Sequence, residues 1–369
     1  MRSLILALAA VAALATGSDA RSDSVASAEP FKLGTFVVDG RPTVGVVLRD
    51  KLVFELEAAN RELELQPQFI RLPMPADMLG VIERYDYGVR RRIYEIVNAL
   101  VASNRLAGDR RPSYVHDAAA LRTLAPIRYP SKTLNAAGNY YGHVSESSTP
   151  EEQRKVAEAR RKQRGTPYLF LKPTRGAIVG NGDDIILPAG REKIDWECEL
   201  AIVIGRPAKQ VTAAEAKDYI FGYTIELDMS DRGGRPGEEP SRSDWFIGKG
   251  HDTFSPMGPY IVPKEFFADP MNVSQRLTIN GRVMQDSRSS DMIHNIYELI
   301  EYGSWIMTLF PGDVVAAGSP AGTGMSRSVR PDQVFLKPGD KLVATIEGIG
   351  TLTHVAKPET KRPATTSSW

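Results

Sequence analysis

From residue 31 to 56 the chain alternates apolar and polar positions in short β-branched runs, FKLGTFVVDGRPTVGVVLRDKLVFEL. An Asp39-Gly40 pair between two such runs is hairpin chemistry, so the segment predicts three strands. The period then changes. Val89, Ile93, Ile96, Val97, Leu100 and Val101 recur at helical spacing between Gly88 and Ser103, and Gly108 to Pro112 breaks the pattern. A small N-terminal α/β domain over residues 30–125 is expected.

Beyond Pro130 many short strand-like runs are separated by Gly, Pro, Asn and Asp. Examples are DIILP (184–188), ELAIVIG (199–205), YIFGYTIELD (219–228), RLTINGRVMQD (276–286), DVVAAG (313–318) and KLVATIEGIGTLTHV (341–355). Asn280-Gly281 marks another hairpin, and one amphipathic helix is expected from roughly Ile296 to Leu309. The series predicts a β-rich, mixed α/β fold with a rolled or barrel-like sheet over 126–357. Thr149 to Thr166 is polar and densely charged. It reads either as a solvated connecting helix or as a mobile lid beside the site. Residues 358–369 read as a loose tail.

The first residues depart from this globular texture. Met1-Arg2 is followed by an apolar stretch, Leu4 to Ala15, and by small residues around Ala20. This is the layout of a secretory signal over 1–20 with a polar linker over 21–29; the competing reading is a buried N-terminal helix. No apolar run reaches spanning length, so no membrane span is expected in the mature protein. Export, to a periplasm or outside the cell, is the expectation. Lys and Arg number 46 against 45 for Asp and Glu. That balance gives no global field toward nucleic acid or an anionic membrane. The single Cys198 excludes an intrachain disulfide framework.

Four segments carry candidate chemistry. In DWECELAIVIG, Glu197 and Glu199 share one face at the start of an apolar strand, while Cys198 points the other way. Like charges on a core-bound strand persist if protonated, if paired with basic groups, or if they bind a cation. In GYTIELDMS, Glu226 and Asp228 end a second strand on one face. Carboxylates without clustered His or Cys suit a hard divalent ion, Mg²⁺, Mn²⁺ or Ca²⁺. In NYYGHVSE, helical spacing would bring Glu146 to His143, and a carboxylate on an imidazole favours a general base. Lys249, flanked by Gly248 and Gly250, can reach a developing oxyanion or stay solvated.

Taken in order, these pieces resemble the fumarylacetoacetate hydrolase family. The run comprises N-x-x-x-H-x-x-E, Pro167 to Pro173, the E-x-E strand, LDMS with Arg232, and Gly248 to Pro259. It continues with Asn280-Gly281, Gln285-Asp286, Ser290 to Ile293, Pro311-Gly312-Asp313, Gly318-Ser319-Pro320 and Pro338-Gly339-Asp340. The resemblance spans roughly residues 130–356. It implies the family's mixed β-roll, a divalent cation with Mg²⁺ first, and Glu197, Glu199 and Asp228 as its ligands. It also implies His143 oriented by Glu146 as base, Lys249 as charge stabiliser, and Lys172, Arg232 and Ser319 at a small oxo-acid substrate. Homodimers are common in the family.

The implied reaction is hydrolytic cleavage of a C–C bond in a 2-oxo or 1,3-dioxo acid. The same residues would also serve a hydratase, isomerase or decarboxylase of oxo acids. A non-catalytic exported binding protein is the alternative from another class. Two departures stand out: Glu226 where small residues are common, and Gly233 to Gly237 after Arg232. N-terminal sequencing of the exported protein should find Arg21 first. A mature chain that retains Leu4 to Ala15 would overturn the signal assignment.

Overall fold

The computed structural model of the protein describes residues 26–144, 150–235, 244–325 and 335–360. The signal segment, Glu146, the Pro236-Gly237 part of the departure after Arg232, and all but the start of the tail lie outside the described residues.

The chain is β-rich. Eleven strands form one sheet in the order Val115–Asp117, Leu52–Glu55, Arg41–Leu48, Phe31–Val38, Met257–Pro263, Ile220–Leu227, Cys198–Ile204, Val314–Ala316, Thr133–Ala136, Leu169–Lys172. The eleventh, Arg122–Leu124, also pairs with Phe31–Val38. Five more strands make a second sheet, ordered Arg282–Arg288, Ser274–Ile279, Lys341–Ile346, Gly350–Pro358, Ile185–Leu187. Both hairpin turns form where the sequence places them. Asp39 and Gly40 have φ of 48° and 74°, and Asn280 and Gly281 have 50° and 79°. Two successive left-handed residues give a turn whose twist matches the flanking strands.

Strand periodicity sorts the Cys198–Ile204 strand between two cores. Cys198, Leu200, Ile202 and Ile204 join Leu277, Leu342, Ala344 and Leu352 of the second sheet, with Ile296, Leu299 and Ile300 of the helix Ile296–Ile306. That helix starts with a capping box between Asn295 and Glu298, which satisfies N–H groups left open at its end. Ala201 and Val203 face the other way. They pack with Phe221, Ile261 and Val314, and with the N-terminal helices through Leu56, Val81, Ile93 and Val97. Residues 31–125 thus continue the central sheet, through Leu33 opposite Ile261, and share one core with it.

The helix Val89–Ala102 buries Val89, Ile93, Ile96, Val97 and Leu100 as its spacing predicts, whereas Val101 is only half-buried. Its apolar face also buries Arg92. The guanidinium donates to Asn60 Oδ1 at 2.5 Å, to the Ile70 carbonyl at 2.6 Å and to Glu95 at 3.0 Å, and pairs with Glu64 at 3.3 Å. Truncating it strips the buried Asn60 Oδ1 of its donor and breaks the ion pairs, although Glu64 keeps the Asn60 amide and the Leu72 N–H and Glu95 keeps Arg91. Arg92→Ala should therefore lower unfolding free energy by about 3 kcal/mol. A denaturant titration showing a loss below about 1 kcal/mol would mean the network contributes little.

Candidate metal and oxo-acid site

The site begins with strand register. Antiparallel pairing sets Glu199 opposite Glu226 and Cys198 opposite Leu227. One step further, the Asp228 N–H donates to the Glu197 carbonyl at 2.9 Å. Four carboxylates thereby share one face at the end of two buried strands, and all four are buried. Like charges directly opposite each other destabilise a sheet unless something compensates them.

Cations from three other segments converge on that face. Lys249, at the end of the helix Trp245–Lys249, donates to Glu197 Oε2 at 2.8 Å, Asp228 Oδ2 at 2.5 Å and Ser230 Oγ at 2.6 Å. Lys172 ends the strand Leu169–Lys172. It donates to Asp228 Oδ1 at 2.5 Å and to the carbonyls of Met229 at 3.2 Å and Phe254 at 2.5 Å. All three of its ammonium donors therefore rest on protein oxygens. Arg232 spans Glu197 Oε1 at 2.5 Å and Asp195 Oδ2 at 3.1 Å.

His143, on the short helix Tyr141–Val144, brings Nε2 within 3.9 Å of Glu197 Oε1. Its expected partner Glu146 lies outside the described residues. Ser319 is buried beside the cluster. Gln285 donates from Nε2 to Ser319 Oγ at 2.9 Å and accepts from the Cys198 N–H at 2.9 Å, tying that loop to the strand. Next to Ser319, Gly318 adopts φ of 93° and donates its N–H to Glu199 Oε2 at 2.8 Å. A Cβ there would meet Asn139 Cβ at 2.8 Å, so glycine is what admits this approach.

The carboxylates differ in electrostatic setting. Burial alone would raise Glu197, but Lys249, Arg232 and His143 outweigh it and hold it well below the usual carboxylate range. Burial pushes Glu199 well above that range, and the charges of Asp228, Glu226 and Glu197 push the same way. Burial also raises Glu226 to about 7, against the pull of Lys172. Burial opposes the charge on Lys249, yet Asp228 and Glu197 raise it overall. The strand's other face is apolar, and burial pushes the Cys198 thiol up, so it offers no thiolate.

Glu197, Glu199 and Asp228 each present an oxygen within 4.8 Å of the others. Three hard anionic donors at that spacing fit a small divalent cation such as Mg²⁺ or Mn²⁺. Glu226 is outside this set. Its oxygens accept from Asn135 Nδ2 at 2.9 Å and Ser255 Oγ at 2.6 Å, which leaves it a supporting place behind Glu199.

Sequence reasoning gave no role to Asp195, Asn135, Ser230 or Ser255. Asp195 accepts from the N–H groups of Trp196, Gly324 and Met325 while holding Arg232. Its place directly before the E-x-E strand was the available signal. Asn135 and Ser255 carry none, because only tertiary pairing brings them to Glu226.

The C-terminal fumarylacetoacetate hydrolase domain matches residues 132–356. The mitochondrial oxaloacetate tautomerase FAHD2A of Bos taurus is 37% identical over 229 residues, 62% of this chain and 67% of that one. Among solved structures, 5-carboxymethyl-2-hydroxymuconate delta-isomerase from Mycobacterium smegmatis superposes with a TM-score of 0.60 at 31% identity, over 89% of this chain and 100% of that one. Maleylpyruvate hydrolase from Sphingobium sp. SYK-6, in complex with manganese (II) ion and pyruvate, gives a TM-score of 0.65 at 26% identity over the same shares. With the domain match running through the carboxylate triad and both lysines, the chain belongs to the fumarylacetoacetate hydrolase family.

Proposed function

We propose that the protein is a divalent-metal-dependent hydrolase that cleaves a C–C bond in a small 2-oxo or 1,3-dioxo acid. The observation that carries this reading is the carboxylate triad with a lysine and an imidazole on the same carboxylate, Glu197. Glu197, Glu199 and Asp228 would hold the cation, with Mg²⁺ first and Mn²⁺ second. Bound there, the ion supplies Lewis acidity toward the oxo and carboxylate oxygens of the substrate.

The protein's own groups account for the remaining steps. Arg232 and Ser319 stand at the rim of the carboxylates and suit a substrate carboxylate or oxo group. Lys172 holds Asp228 in place by direct contact. His143 takes a proton from water as the water oxygen bonds to the distal carbonyl carbon. The bond from that carbon to the neighbouring methylene then breaks, and its electron pair passes to the leaving oxo acid as an enolate. Lys249 offers positive charge to that enolate. The proton held on His143 passes to the methylene carbon, which completes an oxo acid and a carboxylic acid and restores the neutral imidazole.

A second reading is enol–keto isomerisation, without bond cleavage. Its support is the tautomerase and isomerase names among the relatives. It needs the same enolate-stabilising groups but no attacking water. Export and a homodimeric state complete the proposal, the first supported by the Leu4 to Ala15 stretch and the second by family habit.

Acylpyruvates and oxaloacetate should be offered to protein that starts after Ala20, with Mg²⁺, with Mn²⁺ and with chelator. Chelator-sensitive release of pyruvate from an acylpyruvate is expected. Loss of enol absorbance with no cleavage product would select the isomerase reading instead. His143→Ala should lower kcat by about 10² to 10⁴-fold while calorimetry still detects metal binding; unchanged turnover would remove His143 from the mechanism. Glu199→Gln should weaken metal affinity by more than tenfold, and an unaltered affinity would take Glu199 out of the ligand set.

A further inference from the structure

Two elements enter the site, and both carry a lysine at the carboxylates and aromatic rings toward solvent. On the strand Leu169–Lys172, period-2 alternation puts Phe170 on the same face as Lys172. Tyr168 continues that face, its carbonyl still accepting from the Ala137 N–H in the ladder at 2.9 Å. On the helix Trp245–Lys249, Trp245 and Lys249 are four residues apart and therefore lie on one side.

The rings meet. Trp245 lies 4.5 Å from Phe170 and 5.5 Å from Tyr168, centroid to centroid. Lys249 Nζ, which touches Glu197 and Asp228, sits 5.2 Å from the Phe170 ring centroid. Phe170 is half-buried, Trp245 is 38% exposed and Tyr168 53% exposed. One face thus grades from buried cations, through a ring beside the lysine, to rings open to solvent.

Aromatic side chains left open rather than folded into the core mark an interaction surface, and beside a charged centre they match the apolar lining with few polar groups that small-molecule sites carry. Each two-residue step along a strand covers about 6.5 Å. Phe170 therefore stands one step, and Tyr168 two steps, from the lysine end of the face. An oxo acid whose head lies at the carboxylates would extend its far end along these rings.

We infer that Tyr168, Phe170 and Trp245 form a specificity-determining wall, and that the substrate carries a flat aryl group beyond its oxo-acid head. This rests on the oxo-acid reading of the site and narrows it: the acyl end is aryl rather than a short alkyl chain. Offset or edge-on stacking on the wall selects for the ring, while the lysines and carboxylates handle the head.

The test compares benzoylpyruvate with acetylpyruvate on protein starting after Ala20, loaded with Mn²⁺. KM for benzoylpyruvate should be lower by about tenfold or more. Trp245→Ala and Tyr168→Ala should each raise KM for benzoylpyruvate several-fold more than for acetylpyruvate, with Trp245→Phe restoring much of the preference. Equal KM values in the parent protein, or equal losses for both substrates in the variants, would overturn the wall.

If neither compound is cleaved, calorimetric binding of phenylpyruvate against pyruvate reads the wall separately. Tighter phenylpyruvate binding, lost in Trp245→Ala, would uphold the wall while the hydrolase reading falls; equal binding overturns it. A Trp245→Ala variant that changes sedimentation state but not the KM ratio would assign the rings to contact with a second copy, which also overturns it.

Discussion

Register between the strands Cys198–Ile204 and Ile220–Leu227 sets Glu199 across from Glu226 and leaves Glu197 beside Asp228, four carboxylates on one buried face. Their mutual repulsion and desolvation are large opposing terms, and the rest of the site can be read as the response. Lys249 and Lys172 share Asp228 between them, one on each oxygen. Arg232 takes the outer oxygen of Glu197 and is itself held by Asp195. Within the triad, Glu199 has no direct ion pair among the described residues; its hydrogen bond comes from a backbone N–H, that of Gly318. It is the member of the triad whose charge is least compensated by the protein, hence the one with most to gain from a metal ion.

This arrangement explains why each supporting element is where it is. A lysine that must reach a strand end from the side needs a short, tightly turned approach, and the helix Trp245–Lys249 supplies it. Gly318 supplies a backbone donor at a closeness that a side chain would block. Gln285 clamps the Ser319 loop to the Cys198 N–H, so the hydroxyl and the ligand strand keep a fixed relation. Glu226 is held by donors on both oxygens, the amide of Asn135 and the hydroxyl of Ser255, which offset part of the cost of its burial.

Much of this was legible in the sequence because it follows local rules. Period-2 patterning told Glu197 and Glu199 from Cys198, and the Cys198 side chain indeed packs into the core on the opposite face. Asp39-Gly40 and Asn280-Gly281 announced their turns through the left-handed backbone they permit. The helix after Gly88 showed in its spacing, but its buried Arg92 did not. An arginine in a helix pattern reads as solvated until Asn60 and the Ile70 carbonyl are brought to it by the fold. Asn135 was invisible for the same reason. Nothing local distinguishes it from any strand asparagine until the sheet places it on Glu226. The role of Glu226 was open in the sequence for a related cause: ligand or support depends on which hydroxyl and amide arrive.

The strand order has a consequence in time as well as in space. Glu199 lies on a strand whose far neighbour is Val314–Ala316, which in turn pairs parallel with Thr133–Ala136. A chain emerging from its N-terminus can complete the early hairpins within a few dozen residues. The ladder that fixes the carboxylate strand on both sides cannot close until more than one hundred further residues have appeared, since contacts of such sequence separation form late. Before that point one edge of the carboxylate strand stays open, although Lys172 and Lys249, 56 and 52 residues from Asp228 and Glu197, are already in the chain. Gly318, the donor to Glu199, enters later than both lysines, and the strands Lys341–Ile346 and Gly350–Pro358 later still, so the centre is assembled in steps along the chain.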